Sequence, residues 1–487
     1  MSVLPLLVPS CRRRVFGPLL AAATLLCACR TPSVGRAMAP TIGESLSAAS
    51  ACDAPAPVSS SLNATPVGAP LVTFDSAWSI INRTHWDTTF NGVNWRAVRE
   101  SLRPRAAAAT TTGELRFVLG EMIARLHQSH FSIIPREVSD VSAPTATERT
   151  PDRSGTIGAT LRLLDGTLIV SNVRTGSAAE RAGVRPGWLL EAVSGCPLAP
   201  KLARISKNAD ARRASLLAYS VANEALAGAV GDSVRVTFRD GVNAARQITI
   251  MREAEPGQVV KFGNLPPLNA ALTFSRVRSG SRSIGIIRFN IWMPVLGPQF
   301  DAAVDSLRDT DGIVLDLRGN FGGVGGMAMG VAGHFLDSAY TIGTMHQRGL
   351  ALKFVANPRR SDTRSRAVTP YTGPLALVLD ELSISTTEIF GGGLQALGRA
   401  RVFGVQTSGQ ALPAVTERLP NGDILYHAIA DFLSPTGKPF EGDGVLPDVR
   451  APLLRSALLA GRDPALDAAV LWAASRPASS SMPHPTR

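Results

Sequence analysis

The chain has 487 residues, 45% hydrophobic and 18% charged, a globular composition too long for one ordinary core, so two or three domains are expected. Its formal net charge of +12 comes mostly from scattered arginine. No basic stripe or interleaved stacking aromatics accompany that charge, which argues against a nucleic-acid partner. No internal apolar run reaches membrane-spanning length.

The N-terminus has a different texture. Arg12, Arg13 and Arg14 precede "VFGPLLAAATLLCAC", a positive segment followed by a short apolar one. Leu26-Cys27-Ala28-Cys29 resembles a bacterial lipoprotein box. That implies a lipoprotein-type signal peptide over residues 1–28, lipidation of Cys29, and a partner membrane reached through the N-terminal lipid. An ordinary cleaved secretory signal is the alternative. Processing removes three arginines and no acid, lowering the net charge from +12 to +9. It leaves Cys29, Cys52 and Cys196, of which the last two can pair in an oxidising compartment. The expected location is the bacterial cell envelope, facing the periplasm. Residues 29–70, rich in Ala, Pro, Ser and Thr, read as a disordered tether.

Residues 71–140 carry helical spacing of Trp, Ile, Leu and Val, with Asn91-Gly92 as a turn and Thr112-Gly113-Glu114 as a helix start. A small helical domain ending in an extended segment is expected there. Between 153 and 254 the pattern changes to short strands and turns, with Asp165-Gly166 as a hairpin signal. Residues 270–456 alternate strands and helices: "IGIIRF" is a strand, and "DGIVLDLRG" and "GPLALVLD" are buried strands, of a mostly parallel sheet. Residues 457–487 read as one more helix and a disordered tail.

Chemistry concentrates in the third region. Ser385, in "DELSISTTEIFGGG", follows a strand and opens a helix, where unsatisfied N–H groups and partial positive charge favour an oxyanion. The same position suits a helix cap closed by Glu388, a capping box. "LDLRGNFGGVGG" brings a glycine cluster after a strand, so backbone N–H groups can approach a ligand oxygen. Gly323, Gly325 and Ala328 also fit G-x-G-x-x-A, but four residues separate the glycines from the strand, which argues against a dinucleotide site. His127 and His130 are spaced to share a metal, yet a third ligand with suitable spacing is missing. Neither metal nor cofactor is expected.

Taken in order, "DGIVLDLRGNFGG", "DELSISTTEIFGGGLQALGRARVFGVQTSGQ" and "PTGKPFEGDGVLPDV" resemble the tail-specific, or C-terminal-processing, serine peptidases, a family that includes the tricorn core. "SAAERAGVRPGWLL" resembles a PDZ domain of the bacterial protease type. The resemblance implies a multidomain α/β and α+β chain: an N-terminal helical domain, a PDZ-like domain and an α/β catalytic domain acting on protein or peptide substrates. By motif position Ser385 is the nucleophile, with the N–H groups of Thr386 and of Gly322 or Gly323 as oxyanion hole. The PDZ-like edge "GTIGATL" would place Thr156, Ile157, Gly158 and Ala159 near a peptide carboxylate.

The base departs from the Ser–Lys branch of that family, which carries a lysine 25 residues after the serine. Here that position is Gln410, which accepts no proton at neutral pH, and neither Lys353 nor Lys438 substitutes. The tricorn-like branch uses a histidine ahead of the PDZ unit. "ARLHQSHF" places His130 there, and Glu441 in "FEGDGVLPD" is the nearest match to its acidic partner, with Asp443 as the alternative. Loss of the lysine also fits a different expectation, a catalytically silent peptide-binding lipoprotein of the same fold.

Overall fold

The computed structural model describes residues 62, 64–65, 68–139 and 155–477. The signal segment, Cys29, most of the tether and the tail from 478 lie outside them. No helix among the described residues is long and apolar enough to cross a membrane.

The first described body is a three-helix unit: α1 (Pro70–Thr84), α2 (Trp95–Ala107) and α3 (Thr112–Ala124). Phe74, Ala77 and Ile81 form the buried stripe of α1, spaced three and four residues apart. Asn94 caps α2 by accepting from the Ala97 N–H. The cap of α3 is Thr111, one residue ahead of the expected start, and Glu114 reaches back to complete a capping box. Two arginines fix this unit to the rest of the chain. Arg116 makes a buried bidentate pair with Asp423 at 2.6 and 2.9 Å, and Arg348 donates to the carbonyls of His85 and Asn82. After α3 the chain turns through residues 125–131 into β1 (Ser132–Ile134).

Residues 155–254 form a second body. A short strand β2 (Gly155–Thr156) leads to β3 (Ala159–Leu164) and β4 (Thr167–Val173). The hairpin between them turns at Asp165 and Gly166, with φ of +48° and +76°, the pair of positive angles a two-residue primed turn requires. β5 (Leu189–Val193), the helices α4 (Ala199–Asn208) and α5 (Ala211–Leu226), and β6 (Ser233–Arg239) and β7 (Ala245–Met251) complete the unit. The strands run in the order β3-β4-β5-β6-β7, so β3 is an edge strand, and α5 packs along it.

The third body is built on a six-stranded sheet, in the order β8 (Leu272–Ser279), β9 (Arg282–Phe289), β10 (Gly312–Asp316), β13 (Leu375–Leu379), β14 (Arg401–Gly404), β18 (Val449–Arg450). β8 and β9 pair antiparallel; every later neighbour is parallel. Both faces are covered, which explains the unbroken apolar runs at 312–315 and 375–379. Leu315, Leu377 and Leu379 face one core with Phe289, Trp292 and Phe390. Val314, Ala376, Val378 and Phe403 face the other, under Ala465, Ala469 and Ala473 of the last long helix. Between the strands run α6 (Gly297–Leu307), α7 (Gly325–Ala332) and α8 (Thr386–Ala396). Two hairpins sit outside this sheet: β11 (Tyr340–Gln347) with β12 (Leu350–Ala356), and β15 (Ala414–Arg418) with β16 (Ile424–Ala428). β17 (Asp431–Leu433) pairs with β11, and α9 (Pro464–Ala474) closes the chain.

The helical unit and the third body share a sheet. β1 joins β16 antiparallel, with Ser132 opposite Tyr426, so the turn at the end of the helical unit is stitched onto the third body.

Candidate active site

Loops leaving the carboxyl ends of β10 and β13 meet at one point, where open α/β sheets bind their ligands. The β13 loop carries Ser385, half-buried, at the N-cap of α8. Its backbone has φ +59° and ψ −120°. A serine that only caps a helix sits in the ordinary β region, so this left-handed geometry, which costs about 1–3 kcal/mol, calls for another reason.

The β10 loop lies directly against it. A Cβ on Gly322 would stand 2.6 Å from Ser385 Cβ and 3.0 Å from the Thr386 nitrogen, so nothing larger than glycine fits. Thr386 Oγ1 donates to the Gly323 carbonyl at 2.9 Å, tying the two loops together. The Gly322 N–H is engaged by Asn320 Oδ1 at 3.0 Å. Among the described residues, the N–H groups of Gly323 and Thr386 donate to nothing. Of the two glycines named from sequence, Gly323 therefore has the free donor and Gly322 supplies only the space. A pair of unengaged N–H groups beside a serine hydroxyl is suited to an oxyanion.

Glu388 sits beneath, fully buried. Its Oε1 accepts from Thr407 Oγ1 at 2.5 Å and Gly409 N at 2.7 Å, and its Oε2 from Gln410 N at 3.0 Å and Ser385 N at 3.1 Å. The Thr407 hydroxyl accepts from Val445 N, so its proton is the one given to Glu388. Burial pushes this carboxyl up to about 7, against four hydrogen bonds that favour its ionised form. Its contacts make it a wall and anchor rather than a group facing a substrate. Gln410, at the family's lysine position, points its amide at Ser408 Oγ, 2.8 Å away, and its carbonyl accepts from the Ser385 N–H.

His130 lies two residues before β1, in a turn where both it and His127 have positive φ, +59° and +53°. Its Nδ1 is 2.7 Å from Ser129 Oγ. Ser129 Oγ is 2.8 Å from Glu441 Oε2, the Ser129 N–H meets Glu441 Oε1 at 2.9 Å, and the Ala411 N–H meets Oε2 at 3.0 Å. A hydroxyl has one proton, and a carboxylate already receiving two N–H groups is where it goes. His130 Nδ1 must then donate to Ser129, which leaves the lone pair on Nε2. Burial holds this imidazole down to about 4, so it is neutral at pH 7. Burial also raises the Glu441 carboxyl, and its hydrogen bonds act in the opposite direction.

The placement differs from the sequence reading in one respect: Glu441 reaches His130 only through Ser129, a residue sequence reasoning passed over although it directly precedes the histidine. Asp443 is exposed, and its backbone carbonyl takes Arg212 and Gln406. Ala411 follows Gln410, so the relay and Ser385 share one backbone segment. No hydrogen bond joins Ser385 to His130 among those of the described residues.

A family profile described as Peptidase family S41 matches residues 283–451, and one described as Tricorn protease C1 domain matches residues 70–124. The chain belongs to the C-terminal-processing serine peptidase family. It is a serine-type peptidase. Similar proteins include carboxyl-terminal-processing peptidase 3 of Arabidopsis thaliana, 27% identical, covering 82% of this chain and 73% of that one. The carboxyl-terminal-processing protease of Synechocystis is 26% identical, covering 78% and 81%. In fold, the chain is similar to the photosystem II D1 C-terminal processing protease, with TM-score 0.53 and 20% identity over 80% of this chain and 95% of that one. It is also similar to mature CPAF, with TM-score 0.55 and 13% identity over 80% and 94%. Membership of an enzyme family weighs against the silent peptide-binder.

The peptidase's second body meets the site from the side. Arg162 of β3 donates to Asp380 Oδ2 at 2.7 Å, and Asp380 Oδ1 accepts from the Gly319 and Leu382 N–H groups, one in each of the two loops. Tyr219 of α5 packs on Phe321, ring centroids 5.0 Å apart. Between these bodies lies a cavity of about 630 Å³, lined by Thr160, Arg162, Tyr219, Phe321 and Glu381 among others. Of the four residues named for a peptide carboxylate, Thr156 pairs in β2 and its hydroxyl accepts from the Gly158 N–H at 3.0 Å. The Gly158 N–H is thus engaged within its own loop. Ile157 is buried and its carbonyl accepts from Ala179 N, while Ala159 opens β3 opposite Val173.

Proposed function

We propose that this peptidase cleaves polypeptides through an acyl-enzyme on Ser385, with His130 as general base. The observation that carries the reading is the chain His130 Nδ1–Ser129 Oγ–Glu441, which leaves Nε2 as the unprotonated nitrogen. Ser385 Oγ bonds to the scissile carbonyl carbon as its proton passes to Nε2, and the carbonyl oxygen takes the free N–H groups of Thr386 and Gly323. Collapse breaks the C–N bond as Nε2 passes that proton to the leaving amine, leaving the ester on Ser385. Water then attacks the ester, its proton going to Nε2 and on to Ser385 Oγ as the acid leaves. The productive complex requires Nε2 and Oγ within about 2.6–3.2 Å, a contact that commonly tightens only with substrate bound.

Delivery of substrate belongs to the second body, which we read as PDZ-like: β3 is a free sheet edge with α5 alongside, the layout in which an added peptide strand is bound. Thr156, Ile157 and Ala159 border the end of that groove. We read the chain as exported to the bacterial cell envelope and tethered through a lipid on Cys29, facing the periplasm. The disulfide at Cys196 fits an oxidising compartment.

The test is labelling of the purified protein by a serine-directed phosphonylating probe, alongside cleavage of an unfolded protein such as casein. Wild type is labelled at Ser385 and cleaves. Ser385→Ala keeps its fold and does neither; cleavage by Ser385→Ala would overturn the assignment.

A further inference from the structure

The turn that carries His130 is held from behind by a residue outside the relay. His85 is fully buried, stacked on Trp86 at 4.3 Å with an interplanar angle of 11°, and flanked by Phe90 at 5.2 Å and Phe131 at 6.0 Å. Its Nδ1 is 2.8 Å from the Asp87 carbonyl, an acceptor, so Nδ1 bears a proton. Its Nε2 is 2.9 Å from the Gln128 side-chain amide. A neutral ring then offers that amide a lone pair and receives its NH2 end, which a half-turn of the amide provides; facing the oxygen, the ring is an imidazolium. In both arrangements the hydrogen bond ties Gln128 to the buried ring. The Arg348 guanidinium clamps the backbone of His85 itself, at 2.6 Å from its carbonyl, so the support is anchored to the β11–β12 hairpin.

Gln128 stands between the two left-handed residues His127 and His130. Such a turn persists only where its surroundings over-determine it. Asn91 Nδ2 holds its start at the Leu126 carbonyl, 3.0 Å away, and Glu441 holds the Ser129 N–H. His85 adds a hold at the turn's middle.

We propose that His85 and Gln128 are positioning residues: they fix the 127–130 turn so that His130 Nε2 points at Ser385. The inference rests on the reading of His130 as base. Gln128→Leu removes the hydrogen bond without emptying the aromatic box, and His85→Phe keeps the stack while losing the polar contact. Both variants should lower kcat about 10- to 100-fold, the scale of a small misplacement, with KM little changed.

Thermal unfolding is followed on the same samples, with His130→Ala assayed in parallel. Folded Gln128→Leu and His85→Phe enzymes with wild-type kcat would overturn the positioning role while an inactive His130→Ala left the base in place. Full activity in His130→Ala would instead overturn the underlying reading. A fall in melting temperature with unchanged kcat would make the pair structural only, and so would also overturn the proposal.

Discussion

Ser129 Oγ stands between His130 and Glu441, 2.7 Å from Nδ1 of the imidazole and 2.8 Å from Oε2 of the carboxylate. In the proposed mechanism, orientation of the base therefore passes through a neutral hydroxyl rather than directly from an acid. In Ser129→Ala the imidazole loses the partner that fixes its tautomer. We expect kcat to fall about 10- to 1,000-fold, a milder loss than the ~10⁴ seen when a directly bonded triad acid is neutralised. Steady-state kinetics on a fluorogenic peptide measures it.

The same geometry separates the two acids near residue 442. Glu441→Ala removes three hydrogen bonds at once and should inactivate the enzyme, whereas Asp443→Ala touches an exposed side chain and should behave as wild type. An inactive, folded Asp443→Ala would reverse the assignment.

Glu388 gives a stability prediction. Its two oxygens receive four donors, two of them the N–H groups of Ser385 and Gln410. Glu388→Gln replaces one oxygen by an NH2 that faces two of those donors. We expect about 2–4 kcal/mol of destabilisation by denaturant unfolding, since each buried donor left unpaired costs about 1–3 kcal/mol, together with a lower kcat because the Ser385 backbone is no longer held.

The pH dependence follows from His130. As the proposed base, His130 works in its neutral form, which burial extends downward to about 4 from the ordinary 6.5. The acid limb of kcat/KM should therefore lie below pH 6.5, with activity persisting at pH 5.5, where an exposed imidazole is mostly protonated. Stability shares the sign. Between about 4 and 6.5 the unfolded chain binds a proton at this site that the native one does not, so the contribution of His130 is present above 6.5 and is lost as pH falls through that window.

Much of this arrangement is legible in the sequence because its signals are local. Asp165-Gly166 can make little but a primed hairpin, and "LALVL" is apolar throughout because both faces of β13 are covered. The glycine at 322 is demanded by contact with Ser385. What the sequence hides is non-local. "LALKFVA" shows no alternation, since β12 is an edge strand exposed along most of its length, and its hairpin goes unseen. Ser129 looks like an ordinary helix-end serine until the β1–β16 pairing carries it across to Glu441. The choice between Gly322 and Gly323 turns on where Asn320 places its side chain, which no spacing encodes.

The proton acceptor of Ser385 is the central claim, and one assay bears on it most directly: peptide cleavage by wild type, Ser385→Ala, His130→Ala and Gln410→Ala at equal concentration, each checked for folding. Ser385→Ala and His130→Ala should be inactive while Gln410→Ala retains substantial activity, because Gln410 contributes a backbone carbonyl and an amide directed at Ser408. An inactive Gln410→Ala beside a fully active His130→Ala would contradict it.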